Sequence, residues 1–216
     1  MNADDVVRYL REHPDFLAHH GELFTELTVP HPHGGQAISL AERQLHALRE
    51  KIRQLEGKLA ELIRFGEEND EISDKVHRFS LALLEASDYE SLRHALFHNM
   101  REDFAVPQVA LRIWNSVIRH DSDDFAEVSE AVRFLAGDLH QPYCGAPGNI
   151  EVVGWFGEAA PHVRSVALVP LRRQTQVIGL LVLGSEEAER FYAEMGTLYL
   201  GRIGELVSTA VLRQLG

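Results

Sequence analysis

Twelve histidines and a single cysteine, Cys144, are the side chains of this 216-residue chain with the most chemistry open to them. His94 and His98 stand four apart in a stretch of helical periodicity, so both rings can reach one ion. No glutamate follows His94 as in H-E-x-x-H, and no third ligand lies nearby in sequence. A solvated helix face is therefore the expectation, and no metal site is assigned. His31 and His33 flank Pro32 in a turn and read as loop histidines that can dock against the helix that follows. Cys144, followed by Gly145, could serve as a nucleophile or redox sensor with open backbone access. A small buried hydrophobe is the commoner state of such a residue. Asp121-Ser122-Asp123-Asp124 lacks the glycine and distal glutamate of a calcium loop and reads as solvated. There is no phosphate-binding loop, no G-x-G-x-x-G and no G-x-S-x-G. The chain carries no catalytic signature, and the expectation is a protein that is not an enzyme.

The elements that would position these residues follow from composition and periodicity. Hydrophobic residues make up 45% of the chain, enough for one sizeable core, and the net charge is −12. Residues 1–37, 38–87 and 88–216 all carry more acidic than basic side chains, so no electrostatic footprint for a nucleic-acid backbone exists. One cysteine excludes an internal disulfide and fits a reducing, cytoplasmic setting. The start, Met1-Asn2-Ala3-Asp4-Asp5, is not signal-like, and the longest apolar run, Val177–Leu183, is far short of a membrane span.

Residues 1–37 read as a cluster of short helices and a loop. Asp4 is placed to cap a helix holding Val6, Val7 and Leu10. Pro14 suits the start of a second helix with Phe16 and Leu17 inward. Leu23, Phe24 and Leu27 form a third stripe, and Pro30–Gly35 is a loop. Residues 38–87 read as a long helix, opened by a Ser39/Glu42 capping box. Leu45, Leu48, Ile52, Leu55, Leu59 and Leu62 alternate by three and four, the heptad of a dimeric coiled coil. In a parallel pair Lys51 would face Glu56 of the partner. The register breaks at Gly66 and Asn69 and resumes shifted at Ile72, Val76, Phe79 and Leu83. Two readings stand: the helix turns from its dimer seam to its own domain, or the break is a polar hinge.

Residues 88–216 read as the globular domain. Asp88 caps a helix with Leu92, Leu96, Phe97 and Met100 inward. Val106–Trp114 alternates as a strand, with Val109, Leu111 and Ile113 on one face. A helix is expected over Ala126–Leu139, and Glu151–Phe156 leans to helix over strand. Tyr143–Gly145 is ambiguous. Ser165–Ser185 holds two β-branched runs about the polar turn Arg172–Gln176, a hairpin signal. Gly184-Ser185 ends it, and helical periodicity returns from about Met195 to Leu215.

The stretches VRSVALVPLRRQTQVIGLLVLGS and RFYAEMGTLYLGRIGELVSTAVLRQL resemble a GAF domain. The whole chain is similar to the bacterial DUF484 family, through YLREHPDFLAHH, PHPHGGQAISLAERQLHALREKIRQLE, YCG at 143–145, SVALVPL and GLLVLGS with RFYAEMGTLYL. The resemblance implies an α+β fold: a GAF-like antiparallel sheet flanked by helices, preceded by a small helical cluster and a long coiled-coil helix. It implies no established activity. One cysteine cannot form the thiol pair of the GAF-fold methionine sulfoxide reductases. Gly145 stands where bilin-binding domains typically carry histidine, and the cyclic-nucleotide N-K-x-n-F-x-x-x-D-E pattern is absent. On the GAF layout the pocket candidates are Trp114, Tyr143, Cys144, Trp155, Phe156, Arg164 and Ser165, aromatic walls with a few polar groups. Arg112 and Arg164 could pair an anionic ligand, or a neighbouring acid. The expectation is a cytoplasmic sensor or signalling module, a homodimer, binding an unknown small molecule. A protein-interaction adaptor with a filled pocket is the alternative, and an enzyme using Cys144 is a third.

Overall fold

In a computed structural model, which describes the chain except residues 1, 24–27, 30–37, 117, 119 and 216 and the side chains of 17, 28, 29 and 38–42, the chain forms two compact units, Met1–Glu68 and Asn69–Gly216. In the first, helix α1 (Ala3–Glu12) starts two residues earlier than Asp4 suggested, with Asn2 as its cap. The Asn2 side chain accepts the Asp5 N–H at 2.9 Å, and the Asp5 carboxylate accepts the Asn2 N–H at 2.8 Å. This reciprocal cap satisfies two donors that have no intrahelical partner. Asp4 falls inside the first turn, where its charge suits the helix dipole. No side chain of α1 is buried. A one-turn helix α2 (Phe16–His19) follows Pro14, with Phe16 edge-on to Tyr9. Strands β1 (Thr28–Val29) and β2 (Ile38–Ser39) pair antiparallel. Phe24, Leu27, the Pro30–Gly35 loop with His31 and His33, and the Ser39/Glu42 side chains lie outside the described residues.

Helix α3 (Leu40–Glu85) runs 46 residues, without interruption at Gly66 or Asn69. Its exposed face carries i,i+4 pairs, Arg64–Glu68 at 2.8 Å and Glu71–Lys75 at 2.7 Å, each a modest local stabilisation. Its last turns belong to the second unit, where Phe79 and Leu83 are buried. Past Asn69 the apolar stripe faces the helix's own domain.

In the second unit, helix α4 (Tyr89–Glu102) is capped by Asp88, which accepts the Ser91 N–H at 2.8 Å. Strand β3 (Gln108–Ile113) follows, then a 3-10 turn at Asp123–Phe125. Helix α5 (Glu130–Asp138) begins later than the Ala126 start expected from periodicity. The Ser129 hydroxyl accepts the Val132 N–H at 3.3 Å and sets the boundary there. Strand β4 (Tyr143–Gly145), the short helix α6 (Ile150–Gly154) and a 3-10 segment (Gly157–His162) precede the hairpin of β5 (Ser165–Arg173) and β6 (Gln176–Ser185). Helix α7 (Leu198–Leu215) closes the chain. The hairpin turn is tighter than expected. Arg172, Arg173 and Gln176 stay in the ladder, and only Gln174-Thr175 turns, with Gln174 at φ +58°. A two-residue hairpin loop calls for such a left-handed residue.

The sheet is antiparallel throughout, in the order β3-β6-β5-β4. Because strand side chains alternate, each strand feeds two cores. Val109, Leu111, Ala167, Val169, Leu181 and Leu183 join α3, α4 and α7 in the first. Ala110, Val166, Leu168, Leu180 and Val182 join α5, α6 and the segment after it in the second. Within the second unit, the part of α3 from Asn69 on and α7 lie side by side and point the same way: Tyr199 Oη donates to the Asn69 carbonyl at 3.2 Å, and Arg213 donates to the carbonyls of Leu83 and Ala86 at 3.0 and 2.8 Å. Gly204 lets α7 close on β5, since an added Cβ would stand 2.6 Å from Val169.

Candidate functional site

The second core is incomplete. Between α5, α6, β4 and β5 lies a cleft of about 370 Å³, walled by Leu135 of α5 and Leu139 just past its end, Val152 and Val153 of α6, Val166 and Leu168 of β5, together with Tyr143, Gly148 and Asn149. Local sequence explains each wall. Leu139, the C-cap of α5, lies one turn past Leu135 and donates its backbone N–H to the Leu135 carbonyl at 3.3 Å, so the two come to the same side. Val166 and Leu168 are two apart on β5, the period of one sheet face. The Asn149 side-chain oxygen caps α6, accepting the N–H groups of Glu151 and Val152 at 2.9 and 3.2 Å. Glu151 then reaches back to α5, where its carboxylate accepts the Ser129 N–H at 3.0 Å and the Ser129 hydroxyl. One carboxylate thus ties the two covering helices together at their N-termini.

The eight residues singled out from sequence do not converge on this cleft. Tyr143 lines it, with its ring lying across Gly145 and its hydroxyl 3.4 Å from the Ala146 carbonyl. Cys144, between them on a three-residue strand, points through the sheet into the first core, where burial pushes its thiol up. Arg112, Trp155 and Phe156 share the cleft's face of the sheet, further toward β3. The Arg112 guanidinium stacks over the Trp155 ring at 5.0 Å and donates to the Leu111 carbonyl at 2.9 Å. Burial draws Arg112 down from its ordinary value, opposed by the charges of Asp123 and Asp124. Phe156 lies on Gly184, where an added Cβ would come within 2.8 Å of the ring. Trp114 is buried in the second core, and its backbone N–H donates to the Ile178 carbonyl at 2.8 Å. Arg164 is exposed, and its backbone N–H pairs with Ser185. Ser165 is fully buried, with its hydroxyl donating to the Glu187 carbonyl at 2.6 Å and accepting the Phe191 N–H at 3.3 Å. It fastens the loop after β6 and faces no cleft.

A polar cluster lies where a solvated loop was expected. Asp124 is only 1% exposed; it accepts from Tyr89 Oη at 2.8 Å and Arg93 Nε at 2.7 Å. A buried carboxylate needs such partners to remain charged. Burial, reinforced by the Asp124 charge, holds the Tyr89 hydroxyl well above its usual range, so it stays a donor. The cluster pins the 3-10 turn to α4. His94 and His98 stack at 5.8 Å, and among the described residues no group of three or more His, Cys, Asp or Glu side chains is placed to hold a metal.

On α3 the heptad residues form an apolar line open to solvent. Leu45, Leu48, Ile52, Leu55, Leu59 and Leu62 are each between 52% and 67% exposed. Among the described residues no helix is long and apolar enough to cross a membrane.

An antiparallel sheet with helices on one face and a cleft-forming excursion on the other is a GAF-like α+β fold. It is similar to the GAF domain of a phosphoenolpyruvate-protein phosphotransferase (ptsP) from Coxiella burnetii, with a TM-score of 0.53 at 12% identity, covering 67% of this chain and 94% of that one. A GAF domain of A. aeolicus nlh2 in an inactive state matches with a TM-score of 0.47 at 14% identity, covering 67% and 98% of the two chains. Free methionine-R-sulfoxide reductase from Neisseria meningitidis matches with a TM-score of 0.47 at 15% identity, covering 66% and 89%. The chain belongs to the family described as "Protein of unknown function, DUF484", whose profile matches residues 1–214. No relative is found among curated proteins.

Proposed function

We propose that this chain is a non-catalytic, cytoplasmic regulatory module that binds a small organic molecule in the α5–α6 cleft and forms a homodimer through Leu45–Leu62 of α3. The observation that carries the reading is the double duty of β5. Val166 and Leu168 wall the cleft, while Ala167 and Val169 pack into the core that holds the last turns of α3. A ligand that repositions β5 therefore acts on the helix that bears the dimer seam, provided it binds one arrangement better than another. The cleft walls carry no nucleophile, and Cys144 faces away from them, which favours binding over catalysis. The open leucine line favours a second copy, because an apolar stripe of that length is unstable in water.

Two measurements test this. Light scattering on the full chain at micromolar concentration gives a dimer mass; a monomer ends the dimer reading. Thermal-shift screening with metabolite sets gives at least one compound that raises the melting temperature by mass action. A dimer that no compound stabilises identifies an interaction adaptor in place of a sensor.

A further inference from the structure

We infer that the cleft takes an uncharged, hydrocarbon-rich ligand, an alkyl chain of medium length with at most one polar end, and excludes anionic metabolites. The inference rests on reading the cleft as a small-molecule site and names its ligand class. None of its nine lining residues is charged. An ion entering it would give up water and gain no charged partner, a loss apolar contact does not offset. The cleft also offers few hydrogen-bonding side chains, Tyr143 and Asn149. The Asn149 side-chain oxygen is occupied by two amides of α6. The Tyr143 hydroxyl is held only by a 3.4 Å contact, so it and the Asn149 side-chain NH2 are the groups that can meet one polar end.

The shape favours a chain over a compact ring. A second hollow of about 320 Å³ flanks α6 and shares Asn149 and Val153 with the cleft. Its other walls, among them Pro147, Ile150 and Val163, are also uncharged. Val152 is the one buried side chain of α6. A chain that follows α6 reaches from one hollow into the other past Asn149 and Val153. The half-buried cations Arg112 and Arg172 lie on this side of the sheet and line neither hollow: Arg112 stacks on Trp155, and Arg172 is engaged at the end of α5, donating to the Leu139 carbonyl at 2.6 Å.

The test is displacement of N-phenyl-1-naphthylamine, an uncharged fluorophore, from the full-length protein. Competitors are hexanol, octanol and decanol, the carboxylates of the same lengths, cyclic AMP and 2-oxoglutarate. Alkanols are expected to compete, gaining roughly fourfold in affinity per added methylene until the cleft is full. Each carboxylate should be at least tenfold weaker than its alkanol at neutral pH. Val153→Trp fills the cleft from its half-buried rim and should abolish fluorophore binding with the circular dichroism unchanged. Tyr143→Phe, at an exposed position, should keep fluorophore binding and weaken decanol about threefold. Equal binding to wild type and to folded Val153→Trp would overturn the inference, as would carboxylates that match the alkanols. If a charged metabolite stabilises wild type but not Val153→Trp, and alkanols do neither, the ligand class falls while the sensor reading stands. If no compound of either kind binds, both fall.

Discussion

Single residues here are governed by which face they occupy and what they donate to. Cys144 was chemically the most inviting side chain, and its place in the first core makes it the least available. Burial raises its thiol, so the thiolate that reacts is scarce. Native protein should react with Ellman's reagent at least tenfold more slowly than protein in concentrated urea, and equal rates would place the thiol at the surface. Asp88 shows the opposite displacement. The Ser91 amide, and then its hydroxyl, hold the Asp88 carboxyl below its ordinary range in the folded state. The sign follows: the ionised cap stabilises the fold above roughly pH 4, and the contribution is lost as pH falls through the lowered folded value. Asp88→Asn keeps a capping oxygen that does not titrate. The stability gap between wild type and this variant should therefore be constant at neutral pH and close below about pH 4 in urea titrations. The candidate site was only partly legible at this scale. Tyr143 could be placed, but aromatic identity misdirected attention to Trp114 and Trp155. Aliphatic residues that wall a void look the same in sequence as those that fill a core.

Elements were legible where their signal was local. The hairpin, the capped helix at Asp88 and the 46-residue helix each follow from periodicity and caps within their own residues. Boundaries moved where a side chain's hydrogen bond outweighed hydrophobic periodicity, as Asn2 did for α1 and Ser129 for α5. What joins elements was not legible. Arg213 of α7 donates to the last carbonyls of α3, groups that helix geometry leaves without partners. Arg213→Ala should lower stability by about 1–2 kcal/mol, and Arg213→Lys should recover only part, since an ammonium lacks the planar fork. Urea midpoints of the three proteins measure this. A neutral Arg213→Ala would mean that water serves those carbonyls equally well.

At the scale of the whole molecule, the two units pose separate demands. The open heptad line of α3 should be satisfied by a second copy, so Ile52→Asp, a charge at an a position, should give a monomer by light scattering. The melting of the Asn69–Gly216 unit should change little, because Ile52 lies outside it. A variant that stays dimeric would move the interface elsewhere. The sequence by itself determined most of the order of helices and strands and the exposed heptad line of α3, because each is written in spacings of two, three or four residues. The GAF-like class came from resemblance to known stretches. Only the tertiary structure decided that β4 turns Cys144 away from the cleft, that Asp124 is buried against Tyr89 and Arg93, and that α5 and α6 leave a void over β5. Those outcomes depend on residues far apart in the chain competing for the same space and the same hydrogen bonds, and no local spacing encodes which of them wins.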